Sequence, residues 1–191
     1  MATLGPVLRI VVAEDEAVIR LDLVEALREA GYDVLAAVGD GETALAKIDQ
    51  LRPDVTVVDI AMPGMDGLEV TRRAAERTAI VVLTAFGQRD LIERATQAGA
   101  MGYLVKPIGP ENLVPAIEIA AARWVAAHEL QAEATDLARR LAERQHIDRA
   151  KGLLMAQGLT EEEAFAALRQ RAMDARTTMG RVAQNMITEQ L

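Results

Sequence analysis

Over its first 115 or so residues the chain alternates short β-rich runs with longer helical patterns, and this constrains the fold more than any other feature. The runs expected as strands are Leu8–Ala13, Asp33–Ala37, Val55–Asp59, Ile80–Leu83 and Gly102–Val105. Helices are expected near 16–30, 41–51, 66–77, 88–98 and from 110 onward. Five βα units in so short a stretch predict a doubly wound α/β domain around a parallel sheet. The runs IVVA, VTVVDI and IVVLTA are continuous rather than alternating, as strands covered on both faces are. Several boundaries carry local chemistry: Gly31 can cap the first helix, Arg52-Pro53 stops the second, and Pro110 suits the first position of the fifth.

After Pro110 the pattern changes. Residues 111–157 lack glycine until Gly152 and are rich in Ala, Leu, Glu and Arg, which predicts one long helix or two nearly continuous ones. Pro115 is expected to bend its early part. Trp124, Leu130, Ala134, Leu137, Leu141 and Ile147 form a loosely heptad-spaced stripe, which can support a coiled-coil homodimer or pack on its own chain. Gly158 ends the long helix, and Thr160 to Glu163 has the form of a capping box. The next helix carries Ala164, Phe165, Leu168 and Met173. A last one, from about Thr178, carries Met179, Val182, Ala183 and Met186. Residues 146–191 thus read as a small three-helix all-α module. Phe165 and the methionines are expected in its core.

Charge narrows the function. Residues 1–116 carry 11 basic and 18 acidic side chains, and residues 117–191 carry 10 and 11. The acidic first part should repel nucleic acid, so any nucleic-acid surface belongs to the second part. Cysteine is absent, which excludes disulfides and thiolate metal sites and fits a reducing cytoplasm. The start reads as a first strand rather than a signal peptide, and no stretch approaches the roughly 18 apolar residues of a membrane span. The expectation is a soluble cytoplasmic protein. His128 and His146 lie too far apart to share a metal and are expected at the surface.

In parallel sheets reactive groups gather at the carboxyl ends of strands. Glu14 and Asp15 end the first strand, Asp59 the third, Thr84 the fourth and Lys106 the fifth, so three carboxylates, a hydroxyl and an ammonium converge on one edge. Clustered carboxylates need a cation, and hard oxygen ligands without His or Cys select Mg²⁺. Mg²⁺ with Lys106 would neutralise a phosphoryl group. Asp59 can act as nucleophile and form an acyl phosphate. Thr84 can donate its hydroxyl to a phosphoryl oxygen.

VAEDE, DIAMPGMDG, TAF and Tyr103-Leu-Val-Lys-Pro107 fall in order, and together they resemble the receiver domain of two-component response regulators over about residues 7–125. The resemblance implies a flavodoxin-like sheet of order 2-1-3-4-5, with Asp59 as phosphoacceptor for a sensor histidine kinase. It implies a Mg²⁺ site of Glu14, Asp15, Asp59 and the backbone carbonyl of Ala61. It makes Lys106 the phosphate partner and Thr84 and Tyr103 a switch pair, and it suggests a cis Lys106–Pro107 peptide.

In the second half, Ala150-Lys-Gly-Leu-Leu-Met155, Glu161-Glu-Glu-Ala-Phe165, Leu168-Arg169 and Val182-Ala183 resemble the ANTAR module, an RNA-binding three-helix domain of antitermination regulators. The whole chain is similar to actinobacterial regulators of the receiver–ANTAR type. The resemblance implies an output that binds RNA hairpins in nascent transcripts and acts by transcription antitermination. Four arginines and one acid lie from Arg169 to Arg181, and Arg144, Arg149 and Lys151 precede them. Lys151, Arg169, Arg171, Arg176 and Arg149 are the candidate RNA contacts, since such groups meet phosphates and Arg also stacks on splayed bases. The bland alternative is ordinary solvated helix faces.

The expected organisation is a receiver over 1–125, a helical linker or coiled coil over 126–145 and an ANTAR domain over 146–191. A DNA-binding output would want a compact basic recognition helix, whereas the segment after Thr178 holds only Arg181. A protein-interaction output acting through dimerisation is the other alternative. No nucleophile–base pair or metal cluster is evident in 120–191, so an enzymatic output is not expected.

Overall fold

The computed structural model describes residues 7–85 and 89–189. The elements run β1 (Arg9–Ala13), α1 (Ala17–Glu29), β2 (Asp33–Val38), α2 (Gly41–Leu51), β3 (Val55–Asp59), α3 (Gly67–Ala74), β4 (Ala79–Thr84), α4 (Arg89–Gln97), β5 (Gly102–Val105), α5 (Pro110–Ala156), α6 (Glu161–Asp174) and α7 (Met179–Thr188). The five strands form one parallel sheet of order β2-β1-β3-β4-β5, the flavodoxin-like order expected.

Side chains alternate across a strand, so a sheet with two covered faces needs apolar residues at every position. β3 and β4 meet that demand. Val55, Val57, Val81 and Leu83 join Leu23, Leu27, Leu113 and Ile117 on one face. Val58, Ile80 and Val82 join Ala44, Ile48, Leu68 and Val70 on the other. Besides Asp59 at its end, β3 holds one polar residue, Thr56, which is buried and has its hydroxyl 3.1 Å from that of Thr78.

Two helices of this half start on an aspartate whose carboxylate accepts from the backbone N–H three residues on: Asp40 for α2 and Asp66 for α3. The second cap fixes the turn after β3. There a Cβ on Gly67 would stand 2.0 Å from the Asp59 carbonyl oxygen, so the chain passes too close for any other residue. Gly31 has φ +90, as a glycine closing α1 would.

The chain divides into two compact units, 1–128 and 129–191, and α5 runs through both. Pro115 stands inside α5 without ending it, one turn past Pro110. In the second unit Ala150, Leu154, Ala164, Leu168, Ala172, Val182 and Ala183 form the core, edged by Ile147, Leu159, Ala167, Met179 and Met186. Thr160 and Glu163 make the reciprocal capping box at α6, and Gly158 ends the preceding turn at φ +99.

Three expectations change. The heptad stripe is not continuous. Trp124 packs against the sheet core of the first unit and donates its indole N–H to the Ala75 carbonyl at 2.8 Å. Ile147 joins the core of the second unit. Leu130, Leu137 and Leu141 remain well exposed between them. The histidines are not simply at the surface: both are half-buried, and His128 stacks on Trp124 with ring centroids 3.8 Å apart. Finally, Phe165 and Met173 lie outside the core, 43% and 63% exposed. Small alanines at 164 and 172 close the helix contact, which leaves the larger neighbours outside it.

Candidate functional site: an acidic cluster at the sheet edge and a basic helical surface

Glu14 and Asp15 follow β1, Asp59 ends β3, Thr84 ends β4 and Lys106 follows β5. The parallel register brings these ends to one edge of the sheet. Glu14, Asp59 and Thr84 are buried, whereas Asp15 is exposed. One carboxylate oxygen from each of Glu14, Asp15 and Asp59 lies within 4.8 Å of the others.

Lys106 neutralises part of this charge. Its ammonium is 2.7 Å from Glu14 Oε2 and 2.9 Å from Asp59 Oδ1. The Glu14 contact is thus a charged one of hydrogen-bond length inside a buried cluster. Asp59 Oδ2 accepts the backbone N–H of Ala61 at 3.0 Å. The Lys106–Pro107 peptide is cis, and the Lys106 N–H donates to the Thr84 carbonyl at 2.8 Å.

Burial pushes the Glu14 carboxyl above its ordinary pKa, and nearby Asp59 adds to the rise; the ammonium opposes both without cancelling them. For Lys106 burial works against the charged form, but its bonds to Glu14 and Asp59 outweigh it, and the pKa is raised. The cluster thus carries more negative charge than one ammonium offsets. A set of oxygen donors without nitrogen or sulfur fits a small hard cation such as Mg²⁺. The chemistry available is that of a buried, oriented carboxylate beside a cation: attack on a phosphorus centre.

Tyr103, on the edge strand, is 48% exposed. Of the TAF motif, Phe86 lies outside the described residues. One residue escaped the sequence reading. Arg20, on the first turn of α1, donates to the carbonyls of Glu14 and Asp15 and so holds the loop that carries both acids. A basic residue one turn beyond an acidic pair is the only sequence signal for it.

The candidate RNA residues differ in their surroundings. Lys151 is paired with Glu161 at 2.8 Å and Asp148 at 3.5 Å. Arg171 points its guanidinium at the Met186 sulfur, 3.0 Å away. Arg149 is exposed on α5. Arg169 and Arg176 share a groove of about 450 Å³ with Phe165, Met173 and Met179.

Comparison with known proteins divides the chain in the same way. The family described as response regulator receiver domain matches residues 10–118, and the ANTAR domain matches residues 135–187. Transcriptional regulatory protein PdtaR of Mycobacterium tuberculosis is 48% identical over 179 residues, covering 92% of this chain and 87% of that protein. Chemotaxis protein CheY of Thermotoga maritima is 32% identical over 112 residues, covering 57% of this chain and 93% of its own length. Among solved structures, the signal receiver domain of NarL from Mycobacterium tuberculosis superposes with a TM-score of 0.59 at 31% identity, over 62% of this chain and 98% of that one. With its strand order, its acidic edge and both domains matched, the chain belongs to the response regulators that join a receiver domain to an ANTAR output domain.

Proposed function

We propose that a sensor histidine kinase phosphorylates Asp59, and that this controls binding of the ANTAR domain to RNA hairpins in nascent transcripts and thereby transcription antitermination. The observation that carries the first half is the environment of Asp59: 3% exposed, one oxygen on the Lys106 ammonium and the other on the Ala61 amide. An Asp59 oxygen attacks the phosphorus of a phosphohistidine. The P–N bond breaks, the imidazole leaves with the electron pair, and an acyl phosphate forms on Asp59. Lys106 stabilises the charge on the transferred group.

Glu14, Asp15, Asp59 and the Ala61 carbonyl would hold Mg²⁺, which supplies charge neutralisation at the phosphoryl oxygens. Thr84 then donates to a phosphoryl oxygen, and Tyr103 moves inward from its half-exposed position. Candidate RNA contacts are Lys151, Arg169, Arg171, Arg176 and Arg149. The exposed ladder Leu130, Leu137 and Leu141 favours a homodimer of the phosphorylated form. Among the described residues no helix is long and apolar enough to cross a membrane, and we assign the protein to the cytoplasm.

The test is binding of the full chain to paired RNA hairpins and to duplex DNA, with and without Mg²⁺ and acetyl phosphate, beside Asp59→Asn. Hairpin binding that rises on phosphorylation and stays low in Asp59→Asn supports the reading. Binding to neither nucleic acid by a phosphorylated protein moves the output to a protein partner.

A further inference from the structure

Phe165 is the single Phe, Tyr or Trp in residues 129–191. On α6 the row Ala164, Leu168 and Ala172 is buried, and the adjacent row Phe165, Arg169 and Met173 is exposed at spacings of four residues, with Arg176 exposed in the turn just past the helix. An aromatic 43% exposed next to a methionine 63% exposed is a feature that packing alone does not require. Both line the groove of about 450 Å³, together with Met179, Arg169 and Arg176, and none of its lining residues among those described is acidic. By contrast the Lys151 ammonium is already engaged by two carboxylates.

We propose that this groove is the seat of one unstacked base from an RNA hairpin loop, with Phe165 against the face of the base and Arg169 and Arg176 at the flanking phosphates. Sequence-specific recognition of RNA favours splayed loop bases stacked on aromatic planes, and the phosphates on either side demand cations. The groove is lined by apolar residues and two arginines, which complements the charge pattern of a nucleotide rather than that of an apolar helix. Arg176 has φ 49, a left-handed conformation that glycine would adopt at lower cost.

The role of the groove rests on the reading that the ANTAR domain binds hairpins, and one experiment separates the two. The full chain, with Mg²⁺ and acetyl phosphate, selects binders from hairpin RNAs of one constant stem and randomised loops. A selected hairpin is then remade with each loop base removed in turn. Each abasic hairpin is titrated with wild type, Phe165→Leu and Phe165→Trp, all checked for folding by circular dichroism. Phe165→Leu keeps apolar bulk and removes the aromatic face, whereas Phe165→Trp keeps the face.

The expected result is an affinity loss of about 10-fold for Phe165→Leu and less than about 2-fold for Phe165→Trp. At one loop position, removing the base should cost wild type about 10-fold and Phe165→Leu almost nothing further. Penalties that simply multiply at every loop position overturn the assignment while leaving hairpin binding intact. So does Phe165→Leu binding like wild type, or both variants being equally weak. If wild type selects no hairpin at all, the RNA reading fails and the groove's role with it.

Discussion

In the receiver, Glu14, Asp59 and Lys106 come from the ends of three strands, and the Lys106 ammonium is in contact with both carboxylates. In the ANTAR domain, Arg149, Arg169 and Arg176 stand on helix faces and in a turn, exposed. The first arrangement is electrostatically loaded: burial and a neighbouring carboxylate raise the Glu14 pKa, and one ammonium holds the cluster together. The second arrangement stores little. A buried charged site couples its chemistry to the stability of the domain that holds it, whereas an exposed binding surface can change with little effect on folding.

The sharpest way to break that contrast is Lys106→Ala. Removing the cation from a buried pair should cost the receiver about 3 kcal/mol in urea unfolding at neutral pH. Added Mg²⁺ should recover part of it, because an ion that binds only the folded site stabilises it by mass action. The pH dependence has a definite sign. An acid whose pKa is raised by folding holds its proton better in the folded state, so its contribution is most favourable below the ordinary value and declines as pH rises through the raised one. Glu14 is such a group. Losing Lys106 raises it further, so the deficit of Lys106→Ala should be smallest near pH 5 or so and widen toward neutrality. A deficit independent of pH and Mg²⁺ would mean that the cluster is not electrostatically loaded.

In the second domain, Thr160→Ala removes one half of the capping box and should cost the unit about 1 kcal/mol by hydrogen exchange, with no effect on receiver phosphorylation. Gly152→Ala should work in the opposite direction. Gly152 sits within α5, and apart from its own helical turn and chain neighbours no atom lies within 4 Å of where its Cβ would be. Alanine should therefore add about 0.8 kcal/mol of helix stability. If RNA approaches the backbone there, the more stable variant binds hairpins less tightly. Smallest in stability is Arg169→Gln, expected within about 0.5 kcal/mol of wild type in unfolding. Its effect belongs to binding: the slope of log affinity against log salt should fall by about one. An unfolding loss of several kcal/mol in Arg169→Gln would erase the distinction between the two domains.

The same contrast governs what could be read in advance. Each receiver group ends a strand, and strands betray themselves by unbroken apolar runs such as IVVLTA. The topology of a parallel sheet then delivers Glu14, Asp59 and Lys106 to one edge. The capping box was equally legible, because its partners are three residues apart. What could not be read depends on contacts between distant elements. The pairing of Lys151 with Glu161 joins α5 to α6, and nothing local announces it. The exposure of Phe165 depends on alanines closing the helix contact, and an apolar residue beside Leu168 looks the same in sequence whichever way it faces. Trp124 fits a heptad by spacing, yet the receiver core claims it.

Trp124 is also the only tryptophan in the chain. Its indole donates to the end of α3 through Ala75, and its ring lies on the imidazole of His128 one turn further along α5. The molecule therefore carries its own optical probe at the point where the receiver core meets α5. Any rearrangement that lifts α5 from α3 should redden the emission and change its quenching by His128, so such a movement can be followed in unlabelled protein by fluorescence alone.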